Sequence, residues 1–191
     1  MFIQRTAPRL LGAAAMVSAL ALVACSDDPT DPGGGGGGGG TGSSNATVTG
    51  GVSATFSGSA FQGEAEIETG EQGWIAVLGS SDLNGNSVLI ACFCSRPGNG
   101  TYTVIDLNTA GDLLPNEWAA VLSLGDGTTP TYLGLSTGGT VTITSSSDDL
   151  VVGTYNIPVA GFDPTAPSVP IVANVAGDFS AVGGAVNLPE I

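Results

Sequence analysis

The chain of 191 residues contains no histidine and no lysine, and its only cations are Arg5, Arg9 and Arg96. Those absences remove whole classes of chemistry. Without His or Lys the chain cannot build a Ser-His-Asp or Cys-His site, a Ser-Lys dyad or a Schiff base. A tetrahedral zinc site needs several Cys or His ligands, and beyond Cys25 only Cys92 and Cys94 remain. Phosphate-binding loops of the P-loop type are missing too. The run Gly33 to Gly40 has no Lys-Ser/Thr after it and no flanking strand and helix. Charge is as lopsided as composition. All 17 Asp and Glu lie beyond Cys25, where Arg96 is the one cation, so that part of the chain carries a net −16. Such a surface repels phosphate backbones and anionic headgroups, which argues against nucleic acid as a partner. Membrane attachment cannot come from a basic patch either.

The N-terminal segment supplies another route. Arg5 and Arg9 form a positive flank, and Leu10 to Ala24 is an uncharged run of 15 residues. That run is short for a bilayer span and suits a signal-peptide core. It ends in Leu22-Val23-Ala24-Cys25, which resembles the lipobox of bacterial lipoproteins. In those proteins the thiol receives a diacylglycerol, the leader (here residues 1–24) is cleaved, and the new amine is usually acylated. Each acyl CH₂ buried in the bilayer contributes about 0.8 kcal/mol, so two or three chains anchor firmly. The competing reading is an ordinary secreted protein with a chance cysteine near the cut.

Residues 25–46 read as the lipidated cysteine and a tether. Ser26 to Pro32 is acidic and broken by proline, and Gly33 to Gly40 is unbroken glycine, a composition that cannot form a core. About 21 flexible residues have a root-mean-square reach on the order of 25 Å, enough to lift a domain clear of headgroups. Acids just after the cysteine resemble surface-export signals of some bacterial lipoproteins, and Ser26 in place of Asp is unlike an inner-membrane retention signal. The expected location is the cell envelope, lipid-anchored, with the outer membrane favoured and surface exposure a further option. Membrane through the anchor, and a glycan or envelope protein, are the partners left open.

From Thr47 to Ile191 the texture changes to short β-rich runs separated by turn residues. There is room for one domain of roughly 140 residues, enough for a single core. Strands are expected over 52–58, 60–68, 73–80, 87–94, 100–106, 117–124, 129–136, 139–145, 149–157 and 171–181. Asn84-Gly85-Asn86, Asp126-Gly127 and Asp148-Asp149 sit between runs as hairpin turns. Several runs alternate. Phe61, Gly63, Ala65 and Ile67 share one face, and Gln62, Glu64, Glu66 and Glu68 the other, which reads as solvated. Val141 and Ile143 oppose Thr140, Thr142 and Thr144. Val88 to Cys94 is apolar on both faces and belongs in the centre. Only residues 107–116 leave room for a turn of helix. The expected fold is all-β, a single antiparallel β-sandwich of about 8–10 strands, with a small β-barrel as the alternative.

Four segments recur in order: Gly100-Thr101-Tyr102-Thr103-Val104, Gly139-Thr140-Val141-Thr142-Ile143-Thr144, Gly153-Thr154-Tyr155-Asn156 and Gly177-Asp178-Phe179. Over residues 50–182 this resembles a family of bacterial lipoproteins of unknown function, common in Bacteroidetes-type genomes. Its members carry GTY, GTVTI and GTF segments on successive strands after a lipobox and a low-complexity tether. Tyr155 departs from the usual Phe, and a Pro-rich insertion at 163–170 precedes the last strand. The resemblance implies a β-sandwich on the envelope and lends no activity, cofactor or site residue.

Carboxylates are the surviving catalytic option. Glu64, Glu66 and Glu68 would lie about 6.6 Å apart successively on one strand face, a spacing compatible with the acids of inverting glycosidases. The competing reading is a solvated face whose charges discourage edge pairing. Asp82-Leu83-Asn84-Gly85-Asn86 resembles the start of a calcium loop, but its glycine comes two positions early and no bidentate Glu follows. A plain Asn-Gly turn explains the same letters.

Cys92 and Cys94 flank Phe93 with both thiols on one side. In a regular strand their Cα atoms would be about 6.6 Å apart, the far limit for a disulfide. A disulfide needing a bulge, two buried thiols, and a soft-metal site short of ligands all stay open. Trp74, Trp118, Tyr102, Tyr132 and Tyr155 could form a sugar-binding face, although tryptophans beside Ile75 and Val77, or beside Ala120 and Leu122, more often belong to a core. No catalytic, cofactor-binding or metal residue is assigned, and the expected cofactor is none. The leading expectation is a non-enzymatic interaction or structural module. A carbohydrate-binding accessory module with exposed aromatics and a carboxylate-dependent glycosidase are its rivals.

Overall fold

The computed structural model describes residues 42–68, 71–80, 85–110, 113–164 and 166–184. The leader, Cys25 and the glycine run lie outside the described residues. Ten strands are formed: β1 (Ser43–Gly50), β2 (Ala54–Glu68), β3 (Glu71–Gly79), β4 (Ser87–Cys92), β5 (Gly100–Thr103), β6 (Trp118–Gly125), β7 (Pro130–Ser136), β8 (Thr140–Ser146), β9 (Leu150–Asp163) and β10 (Ala166–Gly183). The all-β expectation is met, and the described residues contain no helix; residues 107–109 and 115–116 form turns instead.

All ten strands belong to one sheet, in the order β1-β10-β2-β3-β4-β6-β7-β9-β8-β5, with further β1–β2 and β9–β10 pairings. Nearly every pairing is antiparallel. The exception is a two-residue parallel contact of Val182 and Gly183 with Phe61 and Gln62, just past the start of β1. β9 is the branch point. Its whole length pairs β10 on one edge, while on the other Val151 to Asn156 pairs β8 and Val159 to Phe162 pairs β7. The fork falls at Pro158, which has no N–H to give to a ladder.

The sheet folds over one interior, and alternation decides what enters it. Val141 and Ile143 of β8, Val151, Ile157 and Val159 of β9, and Val48 of β1 are all buried, while Thr140, Thr144, Thr154 and Asn156 face out. β4 and β6 are buried on both faces. Val88, Ile90 and Cys92 enter the main core. Leu89 and Ala91 face a second apolar cluster, in which Leu107 and Leu113 from the β5–β6 connection cover Ile75, Val77, Ala119 and Val121. The two-sided apolar run of β4 is therefore satisfied by this connection on its outer side.

Four expectations need correction. β1 begins at Ser43, inside the segment read as tether, because Ala46 and Val48 alternate inward between β10 and β2. The runs 52–58 and 60–68 are one continuous strand. Gln62 does not sit on a solvated face. It is 3% exposed, its Oε1 accepts the Trp74 Nε1–H at 2.7 Å, and its Nε2 donates to the Asp148 carbonyl at 3.0 Å. The Pro-rich segment at 163–170 does not precede the last strand as expected: it forms the tip of the β9–β10 hairpin, where Ala166 opposes Asp163 and already belongs to β10.

Two of the four recurring segments have a packing explanation for their glycine. Gly177 lies opposite Tyr155 and Gly153 opposite Phe179 in the β9–β10 register. A Cβ on Gly177 would come within 2.7 Å of the Tyr155 hydroxyl, and one on Gly153 within 2.9 Å of the Phe179 ring. Each glycine is the floor on which the opposing ring lies, and the two rings sit 6.3 Å apart in the core.

Candidate functional site

The residues singled out from sequence come to rest in different places. Cys25 lies outside the described residues, as do Asp82 to Asn84 of the calcium-like loop. Asn86 is described, and its Oδ1 accepts the Gly125 N–H at 3.2 Å, a turn-holding role. Glu64 is exposed on β2 opposite Trp74. Glu66 and Glu68 continue the same strand, but their side chains lie outside what is described. Among the described residues no group of three or more His, Cys, Asp or Glu side chains could hold a metal ion.

Cys92 and Cys94 are joined as a disulfide with a Cα–Cα distance of 5.2 Å. The chain leaves β4 after Cys92 and bends, which brings the second cysteine closer than a regular strand would. The Cys94 carbonyl accepts the Trp74 N–H at 2.9 Å, and the Phe93 carbonyl accepts the Asn116 N–H at 2.8 Å. Two residues further on, Arg96 forms an ion pair with Asp148. Trp74 and Trp118 are 0% and 2% exposed, their rings 5.6 Å apart, and Tyr102 stacks on Trp118 at 4.4 Å. Tyr132 and Tyr155 are buried too. The Tyr132 hydroxyl donates to the Ile171 carbonyl at 3.0 Å, and burial pushes its pKa up to about 12. Tyr155 is raised further still by burial, with a smaller contribution from the charge of Asp178. The aromatic side chains thus build the interior and its seam.

What the exterior offers instead is a face of short polar side chains. On six neighbouring strands the outward positions fall into register. One row runs Thr103, Thr140, Asn156, Ala176, Thr47 and Thr55, across β5, β8, β9, β10, β1 and β2. The next runs Thr101, Thr142, Thr154, Asp178, Asn45 and Ser57. Neighbours across the strands bond to one another. Thr101 and Thr142 hydroxyls are 3.0 Å apart, Asn45 Nδ2 donates to Asp178 Oδ1 at 3.2 Å, and Asn174 Nδ2 donates to Asn156 Oδ1 at 2.9 Å.

Where β1 lies between β10 and β2, this face carries a groove of about 370 Å³ whose lining includes Asn45, Thr47, Thr55, Ser57 and Asp178. Its size is within the roughly 300–1,000 Å³ range of small-ligand sites. Its chemistry is one carboxylate, one amide and three hydroxyls, with no cation. β1 starts at one end of the sheet, and the other end carries the β9–β10 hairpin with Phe162, Val169 and Val172 exposed.

Sequence reasoning missed this site. Asn45 fell inside the presumed tether, and Asp178 was read only as part of a Gly-Asp-Phe segment. The signal that could have found it is the Thr-x-Thr or Asn-x-Thr alternation on strand after strand, noted only for β8. No protein family, curated protein or solved structure matches the chain.

Proposed function

We propose that this is a lipid-anchored protein of the bacterial cell envelope whose β-domain binds rather than catalyses. The leader, the Leu-Val-Ala-Cys sequence ending at Cys25 and the glycine tether support the anchor, Ser26 in place of Asp favours the outer membrane, and the acids after it resemble surface-export signals. The observation that carries the binding reading is the polar face: two in-register rows over six strands, of Thr, Ser, Asn and Asp at every position but Ala176, with a groove between Asn45 and Thr55. A rigid sheet that presents hydrogen-bonding groups in fixed relation is built for recognition. Catalysis lacks its usual parts. The sequence has no His or Lys, the two cysteines downstream of the anchor are tied in a disulfide, and Glu64 stands exposed. The same resemblance to envelope lipoproteins noted from the Gly-Thr-aromatic segments agrees with this placement.

The experiment is a panel of chromogenic glycoside, ester, peptide and phosphate substrates offered to the full chain. The expected result is no turnover with any of them. Hydrolysis abolished by Glu64→Gln, Glu66→Gln or Glu68→Gln would replace the binding module with a carboxylate-dependent glycosidase.

A further inference from the structure

We infer that the polar face takes an uncharged, hydroxyl-rich polysaccharide chain, held at the Asn45–Asp178 groove and extended along the two rows. The inference rests on the binding-module reading above and names its ligand class.

The lining chemistry selects the ligand. A carboxylate accepts hydrogen bonds, an amide both donates and accepts, and Thr and Ser hydroxyls do either. A partner for Asp178, Asn45, Thr47 and Ser57 together must offer donors and acceptors at close spacing, which is what vicinal hydroxyls do. Charge narrows the choice further. An anionic polymer would meet Asp178 with no cation nearby, since Arg96 is engaged with Asp148 elsewhere. A cationic ligand would be drawn away from this face, because of the 17 acids in the chain only Asp178 lies in either row.

Geometry points to a chain rather than a single small ring. Six strands at about 4.8 Å spacing give each row a length of about 24 Å. Neighbouring strands are rotated by about 20–25°, so the rows form a twisted track that a flexible polymer can follow and a flat crystalline surface cannot. The Asn45–Asp178, Thr101–Thr142 and Asn156–Asn174 bonds hold the track's groups in place before any ligand arrives. Exposed aromatic platforms are replaced here by many hydrogen bonds that each compete with water. Binding should therefore be weak for a monosaccharide and grow with chain length.

The test is affinity electrophoresis of the full chain in gels containing dextran, galactomannan or laminarin, with polygalacturonate as the charged control and glucose as the monomeric competitor. Retardation is expected in at least one of the three uncharged polymers and not in polygalacturonate, with glucose a poor competitor. Asp178→Ala together with Asn45→Ala should weaken retention by about tenfold or more. Should that pair fail to fold, Thr47→Val and Thr154→Val serve instead, because both sites face solvent and valine suits a strand. Glu64→Gln, away from the face, should leave retention unchanged. Retention by none of the three uncharged polymers, retention indifferent to the face variants, or a preference for polygalacturonate would overturn the inference. Failure here without turnover of chromogenic substrates removes only the ligand class. Turnover would remove the binding-module reading as well.

Discussion

Gln62 and Trp74 form a buried polar pair whose coupling can be measured. The Trp74 indole is fully buried, and its Nε1–H has the Gln62 Oε1 as acceptor at 2.7 Å. Gln62→Met keeps the volume of the side chain but removes that acceptor. The indole N–H is then left unpaired in the core, which costs about 1–3 kcal/mol. The Asp148 carbonyl also loses its donor, but Asp148 has an exposed side chain in a surface turn where water can replace the bond. Trp74→Phe removes the donor and leaves a smaller ring, so it pays both an unpaired Gln62 carbonyl and a cavity. In the double variant neither polar group is stranded. The double loss should fall short of the sum of the single losses by about 1–2 kcal/mol. For a domain of this size 1 kcal/mol moves the melting midpoint by about 4 °C. Urea unfolding followed by circular dichroism avoids the change in fluorescence that loss of Trp74 beside Trp118 would bring. Additive losses would refute the pairing and return Gln62 to a solvated face.

Gly177→Val should destabilise by about 1–3 kcal/mol or more, because its side chain would run into the Asn45 backbone carbonyl on β1 and then into the Tyr155 hydroxyl; an unchanged urea midpoint would contradict the close approach of strand and ring over Gly177. Asp126 in the β6–β7 turn is held down to about 2 by hydrogen bonds from the Thr128 hydroxyl and from the backbone N–H groups of Thr128 and Thr129. Since its folded pKa lies below the ordinary 3.8, its contribution is present above about pH 4 and is lost as pH falls towards 2. Asp126→Asn should flatten the pH dependence of stability in that window, and a carbon-detected titration of the wild-type carboxyl should find its midpoint near 2. With 17 acids against Arg96 beyond Cys25, added salt should raise the melting midpoint at pH 7 by screening repulsion. A midpoint indifferent to salt would show the charges to be too dispersed to matter.

The legible part of the fold was its alternation. Thr-Val-Thr-Ile-Thr and the runs of Val and Ile announce half-buried strands, and nine of the ten strands lie where such runs predict them. β1 was hidden because Ser43 to Thr49 follows a glycine run and has only Ala46 and Val48 to mark an inward face; what holds it is a hairpin pairing with β2 on one edge and, on the other, pairing with β10, whose partners lie 123 to 137 residues away in sequence. Register of that range carries no local signal, and the groove depends on it. Gln62 misled for a related reason. A polar residue among Glu64, Glu66 and Glu68 looks solvated until the fold brings Trp74 opposite Glu64 and its N–H onto Gln62. The disulfide was open from sequence because its geometry turns on where β4 stops, which is set by the contacts of Phe93 with Asn116 and Glu117. The tryptophans were the most readable of the candidates, since their apolar neighbours already favoured a core.

The proposed anchor, lipid on Cys25 holding an exported domain to a membrane, is open to intact-mass analysis of the mature protein purified from membranes of a bacterium that processes lipoproteins. The expected chain begins at Cys25, carries two or three acyl groups, partitions into detergent, and turns into uncleaved or unlipidated protein in Cys25→Ser. A mature chain beginning elsewhere, or one beginning at an unmodified Cys25, would contradict it.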